Sequence, residues 1–456
     1  MSRIAIIGAG LSGLVAAHEL RRSLGPDVTI VLYEASDRVG GLLHGADVAG
    51  RYTDVGAEAF VLRRPEARDL VVELGLADQI VVPTGARPAV WARGRLNPLP
   101  TPAWMGIPAS PDAVRTVADD EDLERMTAEP RRPLAWTPGA DASIGDLVAD
   151  RFGPSVVARS VDPMIGGVYS CLSRDIGVRA AMPALAARLD EGAPSLTAAV
   201  AALLPSPEAP SSPVFGALRG GYRVLVDALV ESSAPVLHLR TPVAAIRGEG
   251  AGWSVDGQRH DAVIVATPAP VAAGQLADVA ADSAGVLADI ATAPSAVVAL
   301  ALAPAARVPD HSGILAATGE ELARGESANA VKAITISSRK WDHYAGPDGR
   351  VRLRASFGRL GEPVTGTDAD LVRTAAAALA QVCDEVPGVV DAAVQRWPGG
   401  LPCYAPGHTE RVAAILAGLP AGVAVAGAAY RGVGVPACIA QARGAAAAVR
   451  AHLARG

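Results

Sequence analysis

Cysteine is sparse in this chain and poorly placed for chemistry: Cys171, Cys383, Cys403 and Cys438 are the only four, and no two of them stand in CxxC spacing. That spacing excludes the usual zinc and dithiol motifs and leaves four reduced thiols as the expectation. The eight histidines are dispersed without an HxH or HExxH pattern, so no metal site is expected. Aromatic residues make up 4% of the chain, too few to line a cage around a cationic nitrogen. The formal charge of -6 offers no electrostatic footprint for nucleic acid. Long hydrophobic runs are missing as well. Segments such as GVAVAGAA are short and glycine-bounded, and they read as buried strands and helices instead of bilayer spans. Met1 leads within two residues into an apolar strand, which leaves no room for a secretory leader and makes the cytoplasm the expected compartment, with loose peripheral membrane contact left open.

Glycine is abundant, and its placement is informative. IAIIGAG runs into LSG and then, after a helical stretch, into VTIVLYE. This is strand, glycine turn, helix and second strand, with Glu34 at the end of that second strand. Gly8 permits the sharp turn, Gly10 lets the backbone approach a pyrophosphate, and Gly13 lets the helix pack on the strand, so that helix N–H groups face the phosphates. Glu34 can accept the hydroxyls of an adenosine ribose. Arg38 can pair with a phosphate, and Gly40 and Gly41 allow a second loop to run along the pyrophosphate without side-chain collision. No second strand-linked GxGxxG follows, which argues against an enzyme carrying two dinucleotides. The extension past Glu34 favours FAD.

The fold class expected is α/β, with a first lobe assembled from separated pieces around the opening unit, a larger sheet, and an inserted, mainly helical lobe. Glu66 to Leu74 reads as a helix stopped at Gly75, VWARGRLNPLP as a hairpin turning at Gly94, and Phe215 to Tyr222 as a glycine-rich link. Asp141 or Ser143 can cap the helix containing IGDLVADRFG, and LLPSPEAPSSP closes the lobe. SAVVALAL, AVKAITISS and RVRLRASFGR read as a larger sheet with LVRTAAAALAQVC as a helix beside it. The tail is strand, YRGVG loop and long alanine-rich helix.

EASDRVGG, RTPVAAI, ATPAP and the terminal GAAYRGVGVPACI together resemble the flavin-containing amine-oxidase superfamily. DVGAEAF, LGLADQI followed by GRLNPLP, PMIGGVYSCLSRDIGVRAAMPAL and WPGGLPCYAPGH narrow the resemblance to the protoporphyrinogen and coproporphyrinogen oxidases, over nearly the whole length and in the expected order. The chain departs from that pattern at Cys403, where relatives often carry Gln. The resemblance implies FAD as cofactor, a porphyrinogen as substrate, dioxygen as electron acceptor and hydrogen peroxide as product. It also implies a discontinuous Rossmann-like FAD domain over residues 1–85, 215–275 and 410–456, a mixed-sheet substrate domain over 86–112 and 276–409, and an inserted, mainly helical lobe over 113–214. Transfer of the porphyrin to a metal-inserting chelatase is a further implied partnership. Coproporphyrinogen III is the expected substrate, with protoporphyrinogen IX the alternative, followed by a flavin amine oxidase and a non-catalytic FAD-containing binding protein.

The resemblance also carries site residues. Gly56 and Ala57 fall in the segment near the isoalloxazine, with Glu58 either there or a turn-side acid. Val243 would hold adenine through its backbone, and Tyr430, Gly434 and Val435 match terminal FAD contacts. Arg87 is the expected propionate anchor, and Gly167 and Tyr169 lie in a lobe segment that approaches substrate. Phe357 would shape the chamber or pack in a sheet, and His408 would orient the YAPGH loop or satisfy a backbone carbonyl. No acid–base residue is assigned, because the chemistry resides in orientation and in the flavin.

Overall fold

The computed structural model describes residues 2–206, 213–304, 306–325, 329–383, 385 and 388–455. Its nucleotide end is a five-stranded sheet in the order Val236–His238, Thr29–Tyr33, Arg3–Ile7, Ala262–Val265 and Val423–Val425, every neighbouring pair parallel. Apolar residues on both faces make this possible, because successive side chains of a strand point to opposite sides. Ile4, Ile6, Ile30, Leu32 and Ile264 face the core shared with helices Leu11–Leu24, Arg223–Ser233 and Val435–Leu453. Ala5, Ile7, Val31, Val263 and Val265 face the opposite core, covered by helices Ala269–Leu276 and Ala281–Ala288.

The second body is an eight-stranded mixed sheet. Its main path runs Val389–Pro402, Thr292–Pro304, Arg350–Phe357, Ala330–Thr335, Gly313–Ala316, Ala89–Ala92 and Arg95–Pro98, with Leu322–Arg324 paired off the path. Gly313–Ala316 lies parallel to Ala89–Ala92, whereas the other pairs are antiparallel. Arg93 and Gly94 both have positive φ, the backbone that a two-residue hairpin turn of right-handed twist requires. Helix Asp368–Val382 covers one face, its N-terminus closed by the reciprocal hydrogen bonds of Thr367 and Asp370.

Between residues 120 and 201 the chain is mostly short helices. Ser143 caps helix Ile144–Phe152 by accepting the Asp146 N–H at 3.1 Å, while Asp141 accepts the N–H groups of Arg179 and Gly407. Most of the proline-serine segment expected to close this lobe lies outside the described residues. Phe215 to Tyr222 is not merely a link: Phe215–Leu218 is a strand pairing with Phe60–Val61 and Ile80–Val81, which satisfies backbone groups that a loose linker would leave to water.

The lobe encloses a buried ion pair, Arg151 with Glu129, whose side chains are 3% and 0% exposed. Arg151 also donates to the carbonyls of Glu129, Arg132 and Pro133, and Glu129 accepts the Leu196 N–H. Removing one partner strands a charge in a dry interior. Arg151→Met is therefore expected to destabilise the protein by about 3–5 kcal/mol, read as a fall in the urea midpoint, with Arg151→Met/Glu129→Leu less destabilised than the single variant.

Candidate functional site

The carboxyl ends of the parallel strands open into a cavity of about 800 Å³, within the roughly 300–1,000 Å³ range of ligand and cofactor sites. Gly8 turns the chain out of Arg3–Ile7 with φ 102°, and its N–H donates to the Tyr33 carbonyl at 2.7 Å. A Cβ on Gly13 would stand 1.9 Å from the Gly8 carbonyl oxygen, so only glycine lets the helix begin this close to the turn. The second loop crosses the first just as tightly. Gly40 donates its N–H to the Ala9 carbonyl at 2.8 Å, and a Cβ on Gly41 would stand 2.9 Å from the Gly10 Cα.

Glu34 ties this crossing together. One carboxylate oxygen accepts the Ala9 N–H and the other accepts both the N–H and hydroxyl of Ser36, each at 2.8 Å. The residue also lines the cavity, and a carboxylate has more acceptor sites than these three bonds use. Arg38 donates to the carbonyls of Val39 and Gly41, and its guanidinium lies 5.9 Å from the centre of the Trp397 ring. Gly434 precedes helix Val435–Leu453 and aims that helix N-terminus at the same cavity.

Further along the wall, Gly56 and Ala57 sit against the Leu42 backbone; a Cβ on Gly56 would be 1.9 Å from the Leu42 oxygen. Arg354 fixes this segment by donating to the carbonyls of Asp54 and Gly56 at 2.8 and 3.0 Å. Glu58 is no turn-side acid: it is buried, accepting Lys340 Nζ at 2.9 Å and the Ser337 hydroxyl at 2.8 Å, with Arg354 at 3.5 Å. Burial alone would raise its carboxyl, but the Arg354 and Lys340 cations overcome that and hold it well below the usual carboxylate range. Asp54, with less compensation, is pushed up by burial to about 7.

The cavity wall includes Gly8, Gly10, Glu34, Arg38, Gly40 and Gly41, and also Gly56, Ala57, Gly167, Val243, Gly434 and Val435. The Val243 carbonyl accepts Gln275 Nε2 at 3.0 Å, so that acceptor is already engaged. Six expected residues stand off the wall. Gly13 works underneath the turn. Tyr430 is buried below its loop, where its carbonyl accepts from His408 Nε2 at 3.0 Å. His408 stacks on Tyr404 with ring centres 4.0 Å apart, and Tyr404 in turn binds the Ala428 carbonyl and the Gly432 N–H, so both rings brace the YRGVG loop from outside. Tyr169 packs against Tyr404 in the lobe core, and its phenol is pushed up by burial to about 12. Phe357 is fully buried in the sheet core. Arg87 is exposed just ahead of strand Ala89–Ala92, where its carbonyl accepts from the Ser312 N–H, and it does not line this cavity.

Sequence reasoning missed Lys332, Lys340, Arg354 and Trp397, all of which line the cavity. A signal existed for Arg354: in RVRLRASF the basic residues alternate with apolar ones, so one face of a strand is polar. Lys332 interrupts the otherwise apolar AVKAIT with no acid nearby in sequence.

Two glycine loops crossing at backbone distance, an acid at the end of the second strand and two helix N-termini directed at one long cavity define a dinucleotide-binding flavoprotein oxidoreductase. Its residues fit FAD, and the protein uses that cofactor. The model of the family described as flavin containing amine oxidoreductase matches residues 11–450. The chain is 44% identical to the coproporphyrinogen III oxidase of Mycobacterium leprae, covering 99% of this chain and 98% of that one. It is 27% identical to the enzyme of the same name from Bacillus subtilis, covering 97% and 96%. The crystal structure of an Exiguobacterium sp. 255-15 protein assigned as a protoporphyrinogen oxidase superposes with a TM-score of 0.85 at 26% identity, covering 99% of both chains. This chain belongs to the coproporphyrinogen/protoporphyrinogen oxidase family within the flavin amine oxidases.

Because the Gly13 contact is with backbone, it cannot be relieved by moving a side chain. Gly13→Ala is expected to yield protein that retains little or no FAD, seen as loss of the visible flavin band relative to the protein band on purification.

Proposed function

We propose that the protein oxidises coproporphyrinogen III to coproporphyrin III, with dioxygen as the final electron acceptor and hydrogen peroxide as co-product, in haem biosynthesis. The observation that carries this reading is the end-to-end 44% identity with the Mycobacterium leprae coproporphyrinogen III oxidase. The overall change removes six hydrogens from the macrocycle and reduces three dioxygen molecules to three hydrogen peroxides. FAD, when bound, supplies a two-electron acceptor for each of the three steps.

The chain's own residues bind, orient and enclose. The glycine crossing at Gly10 and Gly41 and the helix N-terminus after Gly434 hold the cofactor's anionic end. The Glu58, Lys340 and Arg354 group keeps the Gly56–Ala57 backbone in one position against the cavity. The eight-stranded sheet closes the wall with Thr335, Ser356 and Lys332. Positioning of this kind lowers a barrier by making the reaction effectively intramolecular, which suits a reaction with no assigned acid–base residue.

The division into an FAD domain, a substrate domain and a helical lobe at the boundaries given above is part of this reading. It is supported by the five-stranded sheet drawing strands from all three FAD segments and the eight-stranded sheet drawing strands from both substrate segments. Among the described residues no helix is long and apolar enough to cross a membrane. A cytoplasmic site of action with weak peripheral membrane contact, and release of the porphyrin to a metal-inserting chelatase, extend the proposal. The chelatase extension is supported by product chemistry: a porphyrin is the ligand into which a metal is inserted.

Protoporphyrinogen IX oxidation is the second reading, favoured by the Exiguobacterium structure. Anaerobic mixing with coproporphyrinogen III is expected to bleach the flavin within a turnover, and aerobic kcat/KM is expected to exceed that for protoporphyrinogen IX by about tenfold or more, roughly 1.4 kcal/mol. Equal or greater efficiency with protoporphyrinogen IX overturns the preference, and an unbleached flavin with both substrates overturns the activity. Arg87→Ala is expected to leave KM within about twofold, since the residue lies off the cavity.

A further inference from the structure

Lys332 and Arg359 form a pair of cations with no carboxylate in ion-pair contact among the described residues; Glu362 acts on Lys332 only from farther off. Lys332 sits in strand Ala330–Thr335 and lines the cavity wall built by the eight-stranded sheet, yet it is only 9% exposed. Its Nζ donates to the Ser170 hydroxyl and the Gly358 carbonyl, both at 2.6 Å, which leaves one of its three hydrogens unassigned. Arg359, just past strand Arg350–Phe357, has its Nε buried without a hydrogen-bond partner. No carboxylate forms an ion pair with either residue among the described residues. Lys340 and Arg354, in the same cavity wall, both share Glu58.

Three features border this cationic corner, of which Lys332, Gly167 and Ser170 line the cavity. Gly166 lies beside Arg359, a Cβ there standing 3.7 Å from Nε, and Gly167 lines the cavity, so the helix contributes no side chain at either place to cover the cations. Ser170 holds a left-handed backbone, φ 53°, which is unfavourable for a residue with a Cβ. That conformation is held by the Leu360 N–H on its carbonyl at 2.8 Å and by Lys332 on its hydroxyl. Burying a cation without an anion is costly, and Lys332, buried beside a ligand cavity with the unpartnered Arg359 Nε as its neighbour, has a place for a ligand's negative charge.

We propose that Lys332, with Arg359 and Ser170 beside it, forms the anion subsite that seats one propionate carboxylate of the porphyrinogen. The proposal rests on the porphyrinogen reading above for the identity of the ligand, and it transfers to Lys332 the role that sequence had placed on Arg87. Without an anion, burial and then the Arg359 charge push the Lys332 amine down to about 7. The ionisable groups facing it are Arg359 and Glu362 from the segment after Arg350–Phe357 and the Cys171 thiol after helix Asp162–Tyr169. Arrival of a carboxylate raises the proton affinity of the amine. Above neutral pH, where the free amine is mostly uncharged, binding must therefore take up a proton, and affinity falls as pH rises from 7 to 9.

The test titrates FAD-loaded enzyme with coproporphyrin III, which keeps all four carboxylates, and with its tetramethyl ester, which keeps none. Lys332→Met is expected to weaken coproporphyrin III by about 10- to 100-fold and leave the ester unchanged. KM for coproporphyrinogen III is expected to rise by a similar factor with kcat within about twofold. Calorimetry at pH 8 in two buffers of different ionisation enthalpy is expected to show proton uptake by the wild type and none by the variant. Equal weakening of acid and ester, or unchanged affinity for the acid, overturns the subsite. Should Lys332→Met lose its flavin, Arg359→Gln and wild-type proton uptake decide the matter: full acid affinity in the former or no uptake in the latter overturns the proposal. Failure of the wild type to oxidise either porphyrinogen overturns the functional reading separately, while acid-selective binding lost in Lys332→Met still supports the anion subsite.

Discussion

The structure depends on how closely two stretches of backbone pass each other at the head of the parallel sheet. The Gly8 carbonyl lies where a Gly13 Cβ would be, and the Gly10 Cα lies 2.9 Å from where a Gly41 Cβ would be. Side chains would separate these segments, move the first helix off its strand and close the groove in which a pyrophosphate lies. Glu34 then fastens the crossing by accepting N–H groups from Ala9 on the first loop and Ser36 on the second. The YRGVG loop is braced from behind by Tyr404 and His408, which brings the far end of the chain to the same groove.

Two polar groups at the substrate-sheet side of the cavity differ in how their charge is balanced. Around Glu58, two cations and a serine surround one buried carboxylate, so each charge has a counterpart and the surrounding backbone is fixed. Around Lys332, the amine meets a hydroxyl and a carbonyl oxygen, the neighbouring Arg359 Nε meets no acceptor, and no carboxylate forms an ion pair with either among the described residues. The first arrangement is complete as it stands and serves as support. The second is completed by an anion, which is what a polycarboxylate substrate brings.

The helices of the lobe serve the cavity indirectly. Asp162–Tyr169 presents Gly166 and Gly167 toward Arg359 and the cavity, and its last turn delivers Ser170 to Lys332. The aromatic residues of this region, Tyr169 and Tyr404, are spent on packing and loop support, which is why a chain with few aromatics still builds a firm wall.

The opening strand, its glycines, Glu34 and the paired Gly40 and Gly41 were legible in the sequence because their geometry is local: turn, helix start and strand end are fixed by residues within a few positions of one another. The hairpin at Gly94, the helix past Gly434 and the apolar strands were legible for the same reason. Arg87, Tyr169, Phe357 and His408 lie off the cavity wall, with Phe357 and His408 taking their packing and carbonyl-bracing alternatives, because proximity in sequence to a resemblance motif does not say which way a side chain faces. The sequence by itself determined a dinucleotide cradle and, through motifs spread along the chain, the family. Only the tertiary structure decided where substrate charge is met. Ser170 and Lys332 are 162 positions apart, and Arg359 approaches them through the pairing of separate strands, so no local pattern could bring the three together.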